Sequence, residues 1–203
     1  MTARGEAGLR LFVALELSPA WLQELERAQN ALRAALEGRG VRPLRWVRPE
    51  GIHLTLKFLG SVPESRLEAV RGAIRSASSD FAPISLVLAE RLNAFGDRRG
   101  PRVIWAGLDG ASAAERGRLY RLVEDLETSF AAAGFPREGR FQPHLTLARV
   151  PEDFSRAERA AVAAASEEVR LAATPPLVSE AISLMRSHIG PGGARYERLQ
   201  RFP

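Results

Sequence analysis

The tetrapeptide His-Leu-Thr-Leu occurs twice in this chain, at 53–56 and again at 144–147. Side chains alternate between the two faces of a strand, so each copy predicts histidine and threonine on one face and two leucines buried on the other. The surroundings repeat as well. Pro49 lies shortly before the first copy and Pro143 just before the second, while Val62-Pro63-Glu64 and Val150-Pro151-Glu152 follow them. The pattern reads as one supersecondary unit used twice: a strand, a short turn, then a helix opened by proline and acidic residues.

The remaining periodicities fit two such units. Leu11 to Leu17, Trp46-Val47, Ile52 to Leu59, Ile84 to Leu88 and Val103 to Leu108 read as strands. Two more are expected around Leu177–Ser187 and Ala194–Phe202, flanking the turn Gly190-Pro191-Gly192-Gly193. Apolar stripes predict helices after Ser18-Pro19, through Leu67, Val70 and Ile74, from Ala111 to Ala133 with Gly134 as the stop, and from about Asp153 to Ser166. Asp97-Arg98-Arg99-Gly100-Pro101 is expected to tip a hairpin and not to link domains. The expected fold class is α+β. Two similar lobes, each a small mostly antiparallel sheet with outer helices, would face each other across a central cleft by a pseudo-two-fold, with residues 1–203 as a single bilobal domain.

Composition narrows the class of function. With 203 residues, 45% hydrophobic and 26% charged, the chain has enough apolar material for a core and too much for disorder. No run approaches the ~18 apolar residues of a membrane span. The apolar stretch near the N-terminus, interrupted by Glu16, reads as a first strand and not a signal peptide. Cysteine is absent, which excludes disulfides, thiolate catalysis and Cys-based zinc sites. A cytoplasmic monomer is the simplest expectation. The net charge is +5, and Lys57 is the only lysine among the basic residues. Guanidinium groups grip phosphates in a bidentate manner, so this excess suits a phosphate or nucleic-acid ligand, although a compositional bias toward arginine gives the same numbers.

The two histidines carry the chemistry. If the halves are related by an approximate two-fold, His53 and Thr55 face His144 and Thr146 across a cleft. Two imidazoles on opposite sides of a phosphorus centre are what in-line phosphodiester cleavage requires, one taking a proton from the nucleophile and one giving a proton to the leaving oxygen. Threonine hydroxyls can donate to the non-bridging oxygens as charge builds there. Two histidines without an adjacent Asp, Glu or Cys make a poor metal site, so neither a metal nor another cofactor is expected.

At these residues the chain resembles a known family. Arg45-Trp46-Val47-Arg48-Pro49-Glu50-Gly51-Ile52-His53-Leu54-Thr55-Leu56-Lys57-Phe58-Leu59-Gly60 and Phe141-Gln142-Pro143-His144-Leu145-Thr146-Leu147-Ala148-Arg149 closely resemble the two signatures of the 2H phosphoesterases. The RNA 2′,3′-cyclic phosphodiesterases, also called 2′-5′ RNA ligases, match best. Further likeness lies in Arg10-Leu11-Phe12, Leu184-Met185-Arg186-Ser187 and Gly190-Pro191-Gly192-Gly193-Ala194-Arg195-Tyr196. The resemblance implies a bilobal fold, no metal, and an RNA partner ending in a 2′,3′-cyclic phosphate that is hydrolysed to a 2′-phosphate. It implies His53 as proton donor to the 3′-oxygen, His144 as proton acceptor from water, and Thr55 and Thr146 as phosphate ligands. Reversible 2′-5′ ligation is a further implied activity.

Other residues carry weaker expectations. Arg149 is a candidate phosphate ligand, yet strict alternation starts its side chain on the face opposite His144. Arg140 and Lys57 could meet an RNA backbone or simply be solvated. Phe12, Phe58 and Tyr196 could stack on a base, with core packing the first expectation for each. His188 is expected to be exposed and non-catalytic, and the glycine turn after it lacks the Gly-Lys-Ser/Thr of a P-loop. Two other functions stay open: a non-catalytic module holding RNA ends, and a phosphodiesterase of small cyclic nucleotides.

Overall fold

The computed structural model describes residues 8–190 and 193–203, so Pro191 and Gly192 of the expected turn, like residues 1–7, lie outside the described residues. The chain runs β1 (Leu9–Leu15), α1 (Pro19–Glu37), β2 (Arg45–Trp46), β3 (Leu54–Val62), α2 (Leu67–Ala77), β4 (Ile84–Asp97), β5 (Gly100–Gly110), α3 (Ala113–Ala132), β6 (His144–Arg149), α4 (Arg156–Glu168), β7 (Leu177–Ser179), β8 (Ile182–Gly190) and β9 (Gly193–Phe202). A four-stranded sheet has the order β3-β1-β8-β9 and a five-stranded sheet the order β2-β6-β5-β4-β7. Every strand pairing is antiparallel. The expected α+β class and two-sheet architecture are present.

The leucines of both motifs do what alternation demands. Leu54, Leu56, Leu145 and Leu147 are buried in the main apolar cluster, with Leu11, Val13 and Leu15 of β1 and Ile104 and Ala106 of β5. Each leucine contributes roughly 1.5–3 kcal/mol by leaving water. Trp21, Leu25 and Leu32 of α1 and Leu119, Leu126 and Phe130 of α3 enter the same cluster. Phe12, Ala14 and Met185 form a separate small cluster, with Tyr196 packed against it. Phe12 and Ala14 alternate with Leu11, Val13 and Leu15 along β1, so this second cluster covers the face of the four-stranded sheet turned away from the main core.

Helix ends follow from local chemistry. The Ser18 hydroxyl accepts the Trp21 N–H and Pro19 occupies the first turn of α1. Gly134, at φ +79°, stops α3 as expected. The amides of Gly134 and Phe135 donate to Ala131 O and Phe130 O, which makes a Schellman ending. The rings of Phe130 and Phe135 meet edge to face at 5.5 Å across it.

Three expectations change in detail. The strand expected over Leu177–Ser187 is two strands in different sheets: β7 pairs with β4, and after Glu180-Ala181 the chain enters the other sheet as β8. The two halves of the expected strand serve two sheets in succession. Pro49–Gly51 is a 3-10 turn, so the first motif strand begins at Leu54 and runs on to Val62. The two post-motif helices also open differently. Pro63-Glu64 leads through a 3-10 turn directly into α2, whereas Pro151-Glu152 lies ahead of α4, whose N-cap is Ser155 in a capping box with Glu158.

Candidate active site

The two histidines are held in the same way. His53 stands immediately before β3, with Nδ1 2.8 Å from Gly51 O, and His144 opens β6, with Nδ1 2.9 Å from Gln142 O. A carbonyl oxygen only accepts, so each Nδ1 carries the proton that makes this bond. Nε2 is then the working nitrogen of each ring. Both rings, with Thr55 and Thr146, line one cleft of about 480 Å³. The duplicated motif therefore converges as the repeat predicts. A second depression, of about 450 Å³ between the end of α2 and α3, contains neither histidine.

The surroundings of the two imidazoles differ. His53 is stacked on Phe12 at 4.6 Å between centroids and meets the edge of Tyr196 at 4.9 Å. Tyr196 lies so close over Gly51 that a Cβ there would come within 3.2 Å of its ring. This dry slot lowers the His53 pKa, because burial disfavours the cation; the Gly51 carbonyl opposes the shift, and charge on His144 adds to it. His144 instead meets Phe95 edge-on at 4.9 Å and Trp105 at 6.0 Å. Burial also raises the Tyr196 pKa, against the positive charges of Arg149 and Arg10.

Arg149 corrects the alternation argument. Ile104 pairs with Ala148 but Trp105 pairs with Thr146, so Leu147 is an extra residue on β6, a β-bulge. Leu147 and Ala148 are both fully buried, and Arg149 emerges into the cleft with His144 and Thr146. The first motif strand has the matching irregularity: Ala14 pairs with Thr55 and Val13 with Lys57, leaving Leu56 as the extra residue. Phe58 follows that bulge as Arg149 follows the other, and it too lines the cleft, with the Arg10 guanidinium 4.6 Å above its ring.

The bulge in β3 displaces the expectations for Lys57 and Phe58. Lys57 meets neither solvent nor a nucleic-acid surface. It is 1% exposed, and its Nζ donates to both Glu127 carboxylate oxygens at 2.9 Å and to Pro136 O at 2.7 Å. Phe12 is buried as expected, but under His53. Phe58 and Tyr196 line the cleft, contrary to core packing. Arg140 is exposed beside an adjoining depression that also reaches Thr55, Phe58 and His144. His188 is exposed and pairs with Glu197 at 2.8 Å.

Sequence reasoning missed the carbonyl partners, the aromatic slots and Gln29. Gln29 is buried, and its amide nitrogen donates to Val47 O at 2.7 Å and to the bulged Leu147 O at 2.9 Å. The carbonyls could have been found, since Gly51 and Gln142 both stand two residues before their histidines. Phe95, Trp105 and Gln29 come from other elements and carry no local signal.

Comparison with known proteins places the chain in a family. The family model described as LigT like Phosphoesterase matches residues 15–105 and again 110–196, so each match contains one copy of the motif. The chain belongs to the LigT-like phosphoesterase family. An RNA 2′,3′-cyclic phosphodiesterase of Methanothermobacter thermautotrophicus is 28% identical over 96% of this chain and 98% of its own length. One from Archaeoglobus fulgidus is 31% identical over 70% and 73%. Among solved structures, TT0787 of Thermus thermophilus has a TM-score of 0.65 at 26% identity over 96% of this chain and 97% of that one. The apo form of E. coli LigT, at 23% identity, a TM-score of 0.64 and coverage of 97% and 98%, shares the fold. At the level of the family, this LigT-like chain is a phosphodiesterase. Among its described residues no helix is long and apolar enough to cross a membrane, and no three His, Asp or Glu side chains group as metal ligands.

Proposed function

We propose that this LigT-like chain opens RNA 2′,3′-cyclic phosphate ends to 2′-phosphates by general acid–base catalysis, without metal, as a cytoplasmic monomer. The observation that supports it most is the pair of imidazoles, each locked through Nδ1 and presented with a threonine to one cleft. In this reading His144 Nε2 takes a proton from water as the water attacks phosphorus. His53 Nε2 delivers one to the departing 3′-oxygen, and the 2′-oxygen stays on phosphorus. Thr55 and Thr146 donate to the non-bridging oxygens, and Arg149 adds positive charge at the same mouth. A ribose 5′-hydroxyl in place of water would give a 2′-5′ linkage. The relatives' shared name supports the substrate class.

One observation favours the opposite assignment, with His53 as base: its slot keeps the free ring neutral. In the first assignment the phosphate anion entering that slot restores the proton, since a nearby negative charge favours the imidazolium. The variants described in the Discussion separate the two. The function itself is tested with chelator-treated protein on an RNA ending in 2′,3′-cyclic phosphate, with the product isomer identified. A 2′-phosphate is expected. A 3′-phosphate, no turnover, or activity restored only by a divalent ion overturns the proposal.

A further inference from the structure

Helix α1 turns an apolar face to the core, with Trp21, Leu25, Ala28, Leu32 and Leu36 buried along it. Gln29 is buried on the same helix, 2% exposed. A carboxamide in such a place costs stability unless its polar atoms find partners. The Gln29 Nε2 donates to two backbone carbonyls at once, Val47 O at 2.7 Å and Leu147 O at 2.9 Å. These lie 18 and 118 residues away along the chain, so the amide serves a place that tertiary packing brings to it.

That place is the β6 bulge. Leu147 is its extra residue, and the Leu147 carbonyl also accepts the Val47 N–H at 2.9 Å. The bulge decides where Arg149 points. In a regular strand residues 144, 146 and 148 would share the cleft face, and Arg149 would leave on the other. Instead Leu147 and Ala148 are buried in succession, and Arg149 comes out into the cleft with Thr146. A bulge leaves its extra residue unpaired with the neighbouring strand, here β5, so other contacts must favour it over the regular register. The Gln29 amide is such a contact, made to the carbonyl of the extra residue itself. Its second partner belongs to Val47, whose side chain lines the same cleft.

We propose that Gln29 is a positioning residue for the reaction: its amide holds the β6 bulge, and through it keeps the Arg149 guanidinium turned into the cleft beside Thr146. This rests on the proposed function, in which Arg149 supplies charge at the reacting phosphate. Gln29 itself touches no substrate. A neutral side chain on a core helix sets where a cation stands in the cleft. Misplacing a group by about 1 Å costs up to about 10²-fold in rate, so loosening the bulge is enough to register, without its loss.

The test is a double-mutant cycle in the full chain. Gln29→Met keeps the side-chain length and removes the donor; it is made alone and together with Arg149→Ala. Two quantities are measured: kcat/KM on an RNA ending in 2′,3′-cyclic phosphate, and Ki for inorganic phosphate. Gln29→Met is expected to lower kcat/KM about tenfold when Arg149 is present and at most about twofold when it is absent. Ki, which a smaller fraction of folded enzyme does not change, should rise about threefold, again only with Arg149 present. Gln29→Leu repeats the comparison if Gln29→Met does not fold. An unchanged Gln29→Met, or equal losses in the two backgrounds, overturns the positioning role and leaves the hydrolytic reading intact. If the wild type does not open the cyclic phosphate, the proposed function fails and the positioning role falls with it.

Discussion

The two copies of His-Leu-Thr-Leu make the same local structure and are then supported in opposite ways. β6 is an interior strand, flanked by β2 and β5, whereas β3 is the edge of its sheet. The interior strand needs only a neutral tie: Gln29 reaches from α1 to Leu147 O at its bulge, a carbonyl that also accepts the Val47 N–H. The edge strand is held by charge. Lys57 is buried against Glu127 of α3, and the Glu138 carboxylate accepts the Phe58 N–H that the sheet leaves unpaired, at 3.1 Å. An unpaired edge is a liability, and a carboxylate on its amide together with a buried ion pair closes it. The imidazoles diverge likewise, one in a dry slot between Phe12 and Tyr196, the other beside Phe95 and Trp105. A repeated motif thus supplies two chemically unequal histidines because the elements packed around the copies are unequal.

The largest effect expected from breaking this comparison is on the histidines themselves. His53→Ala and His144→Ala should each lower kcat/KM by ~10²–10⁴. Their residual activities should slope oppositely with pH. With His53 as acid, His144→Ala leaves a reaction that needs protonated His53. That residual activity falls as pH rises through the His53 pKa, which lies below the ordinary 6.5 in the free protein. His53→Ala leaves only the base, so its activity rises with pH. Reversed slopes would exchange the two roles.

Next in size are the supports. Lys57→Ala strands the Glu127 carboxylate in the core and should cost about 3–5 kcal/mol of unfolding free energy. Gln29→Ala leaves neutral carbonyls short of a donor and should cost about 1–3 kcal/mol. Denaturant unfolding compares them, and equal losses would mean that the edge strand gains nothing special from its ion pair.

The smallest expected effect sharpens the difference between the slots. Tyr196→Ala admits water beside His53, so the His53 pKa should move up toward its ordinary value, with Tyr196→Phe retaining the wild-type position. Titration of the His53 ring signals by NMR reads this directly. A His53 pKa unmoved in Tyr196→Ala would remove Tyr196 as the cause of the dry slot's effect.

Much of this molecule was legible in its residues. The repeat placed His53, Thr55, His144 and Thr146 on strand faces, the leucines beneath them, and the helix stop at Gly134, because alternation, helical periodicity and capping are properties of consecutive residues. Arg149, Lys57 and Phe58 were misjudged for one shared reason. A β-bulge is created by the register of a partner strand distant in sequence, and a single extra residue reverses every facing after it. The division of Leu177–Ser187 between two sheets has the same origin, since a strand's own residues do not reveal which sheet it will join. The two imidazoles and their hydroxyls were therefore determined by the sequence alone. The arginine that reaches the cleft, the lysine that does not, and the unequal slots of the histidines were decided by tertiary packing, because burial and strand register depend on which distant elements come to lie against each copy.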